Sequence, residues 1–360
     1  MWASRLAAVT GGGVVAALLA GCALVTSAGA KDSKLLLPAQ RQALLRRAQI
    51  WMPTDVAAAD IRRGPDGGFP PDADVECTFK DTRLGGHTPK FACQLASGEV
   101  VKVRFGADNG EVYAGVAATR LLWALGYGAD ALYPVHVLCR DCPASSQGRD
   151  VAERVTRFEI AAIERPFPGR QINARHTDEG WGWPDLQDVD PAAGGATREQ
   201  RDGLKLLAVL IQHTDNKPEQ QRFVCRDNVK SRDALAACDQ PFLLIHDVGQ
   251  TFGRANWLNR ASVGSVNLDL WSHTPIWKDR ARCVGNLYGS HTGSMADPMI
   301  SEGGRAFLAR LLEQLSEQQL RDLFTVARFD RKPHGGGPID AWVKAFEQKR
   351  AEISGLTCPS

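Results

Sequence analysis

The chain has 360 residues, 44% of them hydrophobic and 23% charged, which is enough to bury one large or two modest cores and too apolar for a disordered protein. Its 43 basic and 41 acidic side chains nearly cancel, and outside residues 1–30, where Arg5 is the sole charge, the balance is about +1. That excludes a general electrostatic claim on nucleic acid or on an anionic membrane surface.

Residues 1–30 read as an export signal: after Arg5 comes the apolar, small-residue-rich run "LAAVTGGGVVAALLAGCALV", then "TSAGA" and the polar "KDSK". Two processing routes fit. Signal-peptidase cleavage would follow Ala30, with Ala28 and Ala30 in an A-x-A pattern; alternatively Cys22 of "LAGC" would carry a lipid. "AGA" directly before the polarity switch favours the first. No later apolar run approaches membrane length, so the expected location is periplasmic or extracellular, with membrane contact only through a lipid on Cys22.

The other eight cysteines fall as sequence neighbours, Cys77/Cys93, Cys139/Cys142, Cys225/Cys238 and Cys283/Cys358. An even count in an exported chain reads as disulfides, and nearest-neighbour pairing is the working hypothesis. For "CRDC" the rivals are zinc and redox chemistry. Zinc would want a second pair at comparable spacing, and a thioredoxin-like motif would open a helix, whereas "LYPVHVLCRDCP" reads as a strand ending in a turn. A small structural disulfide loop is preferred.

Residues 31–72 form an N-terminal extension with one amphipathic candidate helix, "PAQRQALLRRAQIW", and the loop "RRGPDGGFPPDAD". Residues 73–165 turn β-rich, with short strands "VECTFK", "KFACQL", "EVVKVRF", "ALYPVHVLC" and "VTRFEIAAIE". One helix interrupts them, "NGEVYAGVAATRLLWALGYG", which stops at Gly126 and Gly128. After a Pro-, Gly- and Trp-rich loop, residues 166–360 are mainly helical. Thr197 and Gln200 make a capping box for "REQRDGLKLLAVLIQH", and further helices are expected at "GGRAFLARLLEQL", "SEQQLRDLFTVARF" and "IDAWVKAFEQKRAEI". The fold class is α+β, two lobes with a cleft between them.

The residues that could carry chemistry lie in a fixed order. Phosphoryl transfer asks for positioning: a cover and a cation for the phosphates, metal ligands, and a base aimed at an acceptor hydroxyl. Gly85 and Gly86 in "LGGHTPKF" would let backbone approach a phosphate, although two glycines alone read first as an ordinary hairpin turn. On "EVVKVRF", Val101, Val103 and Phe105 face one way and Val100, Lys102 and Arg104 the other. Lys102 would face the cleft, Val100 would line a base, and Glu111 at the next helix start could pair with Lys102 or serve the helix dipole alone. "HTDNKPEQQ" then offers Asp215 as a base and Lys217 as a charge neutraliser. "FLLIHDVG" is an apolar strand delivering Asp247 at its end, a hard-cation ligand, with Gly249 for a tight turn.

"HTDNKPEQ" resembles the HRDLKPEN loop of protein kinases and "DVG" their DFG; "GGHTPK" followed by "VVKVRF" is closer to HipA-type kinases. Exported kinase-like proteins of the CotH type and the secretory-pathway kinases share such a reduced, disulfide-tolerant plan. The resemblance spans about residues 76–330 and implies a bilobal protein-kinase-like fold, β-rich N-lobe and helical C-lobe. It implies Asp215 as catalytic base, Gln220 at the metal-binding Asn position, Asp247 as metal ligand and Lys102 on the phosphates, with ATP or another nucleotide and Mg or Mn as cofactors.

Three departures accompany it. Gln220 sets its carbonyl oxygen one methylene further out than Asn, no full GxGxxG is present, and the interval from Asp215 to Asp247 is long enough for a hairpin tied by Cys225 and Cys238. His213 is expected to support its loop, His246 to pack in preference to contacting the site, and Trp181 and Trp183 either to rim a ligand or to cover a core edge. Two functions stay open, an exported monomeric phosphotransferase acting on an acceptor the sequence does not name, and a kinase-fold scaffold without catalysis. A disulfide-rich domain with no nucleotide site is the bland third. No GxSxG or HExxH supports hydrolase or metalloprotease chemistry.

Overall fold

Alternating apolar and polar residues between Asp74 and Arg165 fold as six strands, β1 (Asp74–Lys80), β2 (Lys90–Leu95), β3 (Val100–Phe105), β4 (Ala131–Arg140), β5 (Arg149–Ala152) and β6 (Val155–Arg165). The computed structural model describes residues 36–359 apart from 83, 87, 144–148, 173–179, 228–235, 254–264 and 288–292. The export segment, with Cys22 and Ala30, lies outside the described residues.

The sheet runs β3-β2-β1-β4-β6-β5, and β3 also pairs β6. Five strands therefore close on themselves while short β5, which the sequence pattern did not reveal, extends the free edge of β6. Only β1 and β4 are parallel; the other pairs are antiparallel. Closure gives the alternation its meaning: Val75, Phe91, Val101, Val103, Val137, Phe158 and Ile163 turn inward and fill the barrel. The opposite face of β3 is left for Val100, Lys102 and Arg104.

α1 (Pro38–Arg46) ends earlier than its hydrophobic pattern predicts. Gln49 N–H donates to the Pro241 carbonyl at 2.9 Å and Leu243 N–H to the Gln49 carbonyl at 2.8 Å, so tertiary backbone pairing displaces the last helical turn. Leu44, Leu45, Ala48 and Ile50 are buried in the main core. α2 (Gly110–Ala124) starts at Asn109, whose side chain accepts from Glu111 N–H at 3.2 Å, and it is buried on nearly every face, between the barrel and the helices.

The chain then forms β7 (Arg170–Gln171), α3 (Arg198–Ile211), β8 (Gln221–Cys225), β9 (Pro241–Ile245), α4 (Leu268–His273), β10 (Trp277–Asp279), β11 (Val284–Gly285), α5 (Glu302–Glu313), α6 (Glu317–Val326) and α7 (Ile339–Ser354). The capping box of α3 is realised, with Gln200 N–H on Thr197 Oγ1 at 3.3 Å and Thr197 N–H on Gln200 Oε1 at 2.9 Å. Trp271, Phe324, Phe329 and Trp342 pack edge and face around Phe252 to form the core beneath. The protein is thus α+β, a sheet-rich part followed by a mainly helical part. No helix among the described residues is long and apolar enough to cross a membrane.

All four disulfides follow the nearest-neighbour pairing. Cys77–Cys93 staples β1 to β2, Cys139–Cys142 closes the turn after β4, and Cys225–Cys238 ties the β8–β9 hairpin. Cys283–Cys358 closes a sequence separation of 75 and pins the C-terminus. Replacing Cys283 and Cys358 together by serine is expected to cost about 2–5 kcal/mol in denaturant unfolding, more than the same change at Cys139 and Cys142, whose loop is short. Equal losses at the two sites would contradict the loop-length account.

Candidate functional site

β3, β6 and α2 meet around one buried guanidinium. Arg104, with 3% of its side chain exposed, donates from Nε to Glu164 Oε2 at 2.9 Å and from Nη2 to Asp247 Oδ2 at 3.0 Å. Its Nη1 is bonded to Glu111 Oε2. Desolvation works against the charged guanidinium, but Asp247, Glu164 and Glu111 outweigh it and raise its pKa well above the ordinary arginine value. Burial pushes the Asp247 carboxyl up; Arg104 more than reverses this and holds it well below the usual carboxylate range. Glu111 goes the other way, raised by burial and by the neighbouring Asp247 charge against the pull of Arg104.

The ion pair expected between Glu111 and Lys102 is therefore made by Arg104. Lys102 pairs instead with Glu164, its register partner across the β3–β6 seam. Strand alternation places both cations on one face, and burial decides between them: Arg104 lies under α2, while Lys102 sits two residues nearer the open end.

The Gly85–Gly86 turn connects to the same cluster. Thr88 Oγ1 donates to Glu111 Oε2 at 2.8 Å and Lys90 Nζ lies 3.4 Å from Thr88 Oγ1. Gly86 has φ +82°, and a Cβ there would come within 2.6 Å of Lys90 Nζ, so the glycine lets the turn pass over that ammonium. Burial and the Arg104 charge lower the Lys90 pKa.

Gln220 joins the two carboxylate-bearing loops. Its main-chain carbonyl accepts from His246 N–H at 2.7 Å and Asp247 N–H at 3.1 Å, while its side-chain Nε2 donates to Asp215 Oδ2 at 2.9 Å. Lys217 Nζ lies 3.6 Å from Asp215 Oδ1. Asp247 Oδ1 accepts from Gly249 N–H at 3.1 Å, and a Cβ on Gly249 would lie 2.7 Å from Glu111 Cγ. A glycine at this turn is what allows the Asp247 loop to reach α2.

Asn216 holds the 213–221 loop from below. Its Nδ2 donates to the His213 and Met295 carbonyls at 3.1 and 3.0 Å, and its Oδ1 accepts from Met295 N–H at 3.0 Å. His213 is fully buried with neither ring nitrogen hydrogen-bonded, and burial pulls its pKa down to about 4 against the opposing charges of Asp215 and Asp247. It supports the loop as a neutral ring and through its carbonyl. Because the unfolded chain binds this proton near pH 6.5 and the folded chain only near pH 4, stability should fall as pH drops through that window, by at most roughly 3 kcal/mol. A His213→Leu variant should show a flatter urea-midpoint profile between pH 6.5 and 4; an unchanged slope would assign the loss to other groups.

A cavity of about 450 Å³ opens beside the cluster. Leu84, Ala92, Val100 and Pro166 give it an apolar wall, and Lys102, Glu164, Arg222 and His246 a polar one. Trp181 and Trp183 are not on its rim. They are buried, the first donating from Nε1 to the Leu244 carbonyl at 3.0 Å, and they complete a core edge.

The structure thus links the Asp215 carboxylate, with Lys217 beside it, to the main chain of Asp247 through Gln220, places Lys102 and Val100 on the cavity, and sets Glu111 against Asp247 through Arg104. Gly85 borders the same turn without lining the cavity. Sequence reading passed over Arg104, Lys90, Glu164 and Asp130; the first was visible as the second cation on the β3 face, the last had no local signal.

No family model matches the chain, and no curated protein matches it. Among solved structures it is similar to the Helicobacter pylori proinflammatory kinase CtkA, at 9% identity and a TM-score of 0.44, covering 79% of this chain and 96% of that one. It is also similar to the Golgi casein kinase with Mn/ADP bound, at 13% identity and a TM-score of 0.35 over 79% and 73% of the two chains. A second structure of the Golgi casein kinase gives 12% identity and the same TM-score of 0.35. These likenesses lie below a TM-score of 0.5, and the functional reading rests on side-chain geometry.

Proposed function

We propose that the chain is an exported kinase-like phosphotransferase that uses a nucleoside triphosphate, with ATP as first candidate, and Mg or Mn. The observation that carries this is the Gln220 junction, which ties the Asp215 carboxylate to the main chain of Asp247, whose own carboxylate is bonded to Arg104 in the cluster with Glu111 and Glu164. Asp215 is the proposed base toward an acceptor hydroxyl, and Lys217 neutralises charge beside it. Lys102, Lys90 and the Gly85–Gly86 turn would meet the phosphate oxygens. Arg104 fixes Glu111 and Asp247 and makes the pairing with Glu111 expected of Lys102.

The donor set fits a hard divalent ion, since the carboxylates of Asp247 and Asp215 and the amide oxygen of Gln220 are all oxygen ligands. These three residues would hold it, and the ion would supply neutralisation of the transferred phosphoryl oxygens. Asp247 already carries Arg104 on one oxygen and Gly249 N–H on the other, so its orientation is set before any cation arrives. The same observation favours a second reading, a binding or scaffold protein without catalysis, because Lys102 is held by Glu164 and Asp247 is satisfied internally.

Nucleotide with Mn should raise the melting temperature of the purified mature chain, a ligand at a hundred times its Kd adding about 2.7 kcal/mol. No rise with any nucleotide would sink the phosphotransferase reading. A rise without phosphate transfer to any acceptor, water included, would leave the scaffold reading.

A further inference from the structure

β9 delivers two adjacent side chains that diverge, Asp247 toward Arg104 and His246 toward Asp130. Asp130 is 1% exposed and receives three donors: His246 Nδ1 at 2.6 Å, Arg222 Nη1 at 2.9 Å and Phe167 N–H at 2.7 Å. A carboxylate acceptor held this firmly takes the proton-bearing nitrogen of the ring. In the neutral ring this puts the proton on Nδ1, facing Asp130, and the lone pair on Nε2. The imidazole is not sealed in the core; its side chain is 28% exposed and lines the 450 Å³ cavity together with Lys102 and Arg222. The oriented imidazole has the buried Asp130 carboxylate behind it, and Glu164 lies within 4.8 Å of that pair; Arg222 is paired to Asp130 and Lys102 to Glu164, so each acid beside the ring is met by a cation and Nε2 is left as a nitrogen nucleophile toward a phosphoryl group. His213, His136 and His273 lack this combination: the first is sealed and has no ring partner, and the other two bond main-chain carbonyls.

We propose that His246 is a nucleophile that receives the phosphoryl group on Nε2, so that transfer passes through a phosphohistidine. This rests on the nucleotide-dependent reading above. The Nε2 lone pair forms the P–N bond as the bond between the terminal phosphorus and its bridging oxygen breaks, and the nucleoside diphosphate leaves with that electron pair. The ring gains positive charge, which Asp130 balances through the Nδ1 proton. In the second half an acceptor hydroxyl or water attacks phosphorus and gives its proton to Asp215, and the P–N electron pair returns to Nε2.

The test is to incubate the full mature chain with Mn and ATP labelled on the terminal phosphate, quench in alkali, and divide the sample between alkaline and mildly acidic conditions. The expected result is label that survives alkali, is lost in acid and maps by mass spectrometry to the peptide holding His246. His246→Gln should lower this label at least 100-fold and Asp130→Asn at least tenfold, both keeping the melting-temperature rise with nucleotide. Asp215→Asn should increase the label by blocking its discharge. A nucleotide-induced rise in the parent with no acid-labile label, or undiminished label in His246→Gln, overturns the covalent step and leaves the phosphotransferase reading standing. A parent that neither rises nor labels overturns both.

Discussion

Arg104→Met is expected to lower the unfolding free energy by about 3–5 kcal/mol, because methionine keeps the volume and leaves Glu111, Glu164 and Asp247 facing one another without their shared cation. Glu164 keeps Lys102 and Glu111 keeps Thr88, so the orphan is chiefly Asp247, which would also lose its depressed pKa. Lys102→Met is the control. Its side chain is 22% exposed and its partner Glu164 still holds Arg104, so the loss should be about 1 kcal/mol or less. Urea unfolding of both variants at pH 7 measures the difference. Similar losses would mean that Arg104 is not the centre of the cluster and that β3 merely tolerates either cation poorly.

Asp215→Ala and Asp247→Ala should separate chemistry from binding. Losing the base Asp215 is expected to reduce phosphoryl discharge to an acceptor by about 10²–10⁴-fold while nucleotide with Mn still raises the melting temperature. Losing Asp247 removes the carboxylate that Arg104 and Gly249 orient, and should abolish the Mn-dependent part of that rise as well as transfer. Calorimetric titration of each variant with nucleotide, with and without Mn, reads the two effects independently. If Asp247→Ala binds as the parent does, the metal ligands lie elsewhere; if Asp215→Ala transfers normally, the Gln220 junction is structural.

Much of this was legible residue by residue. The β1–β4 and β6 runs follow apolar alternation, the Thr197–Gln200 box marks the start of α3, and the cysteines pair with their nearest neighbours. Asp215 and Asp247 were legible as a pair because each ends an apolar segment that must stop at the surface of a core. Other features needed three dimensions. Alternation assigns Lys102 and Arg104 to one face but says nothing of depth, and depth under α2 decides which cation meets Glu111. Gln49 pairs with β9 about two hundred positions away, beyond any local helical preference. The His246–Asp130 contact spans 116 residues, and neither member carries a motif of its own.

The β3–β6 pairing has a mechanical side. Lys102 and Glu164 face each other across the strands that complete the ring, so their ion pair acts as a clasp on the line where the cylinder could come apart. Any anion that draws the Lys102 ammonium toward itself would undo that clasp and leave Arg104, one pleat deeper, as the remaining side-chain tie to Glu164 beside the backbone ladder of the seam. Occupancy of the cavity and tightness of the barrel are then two readings of the same lysine.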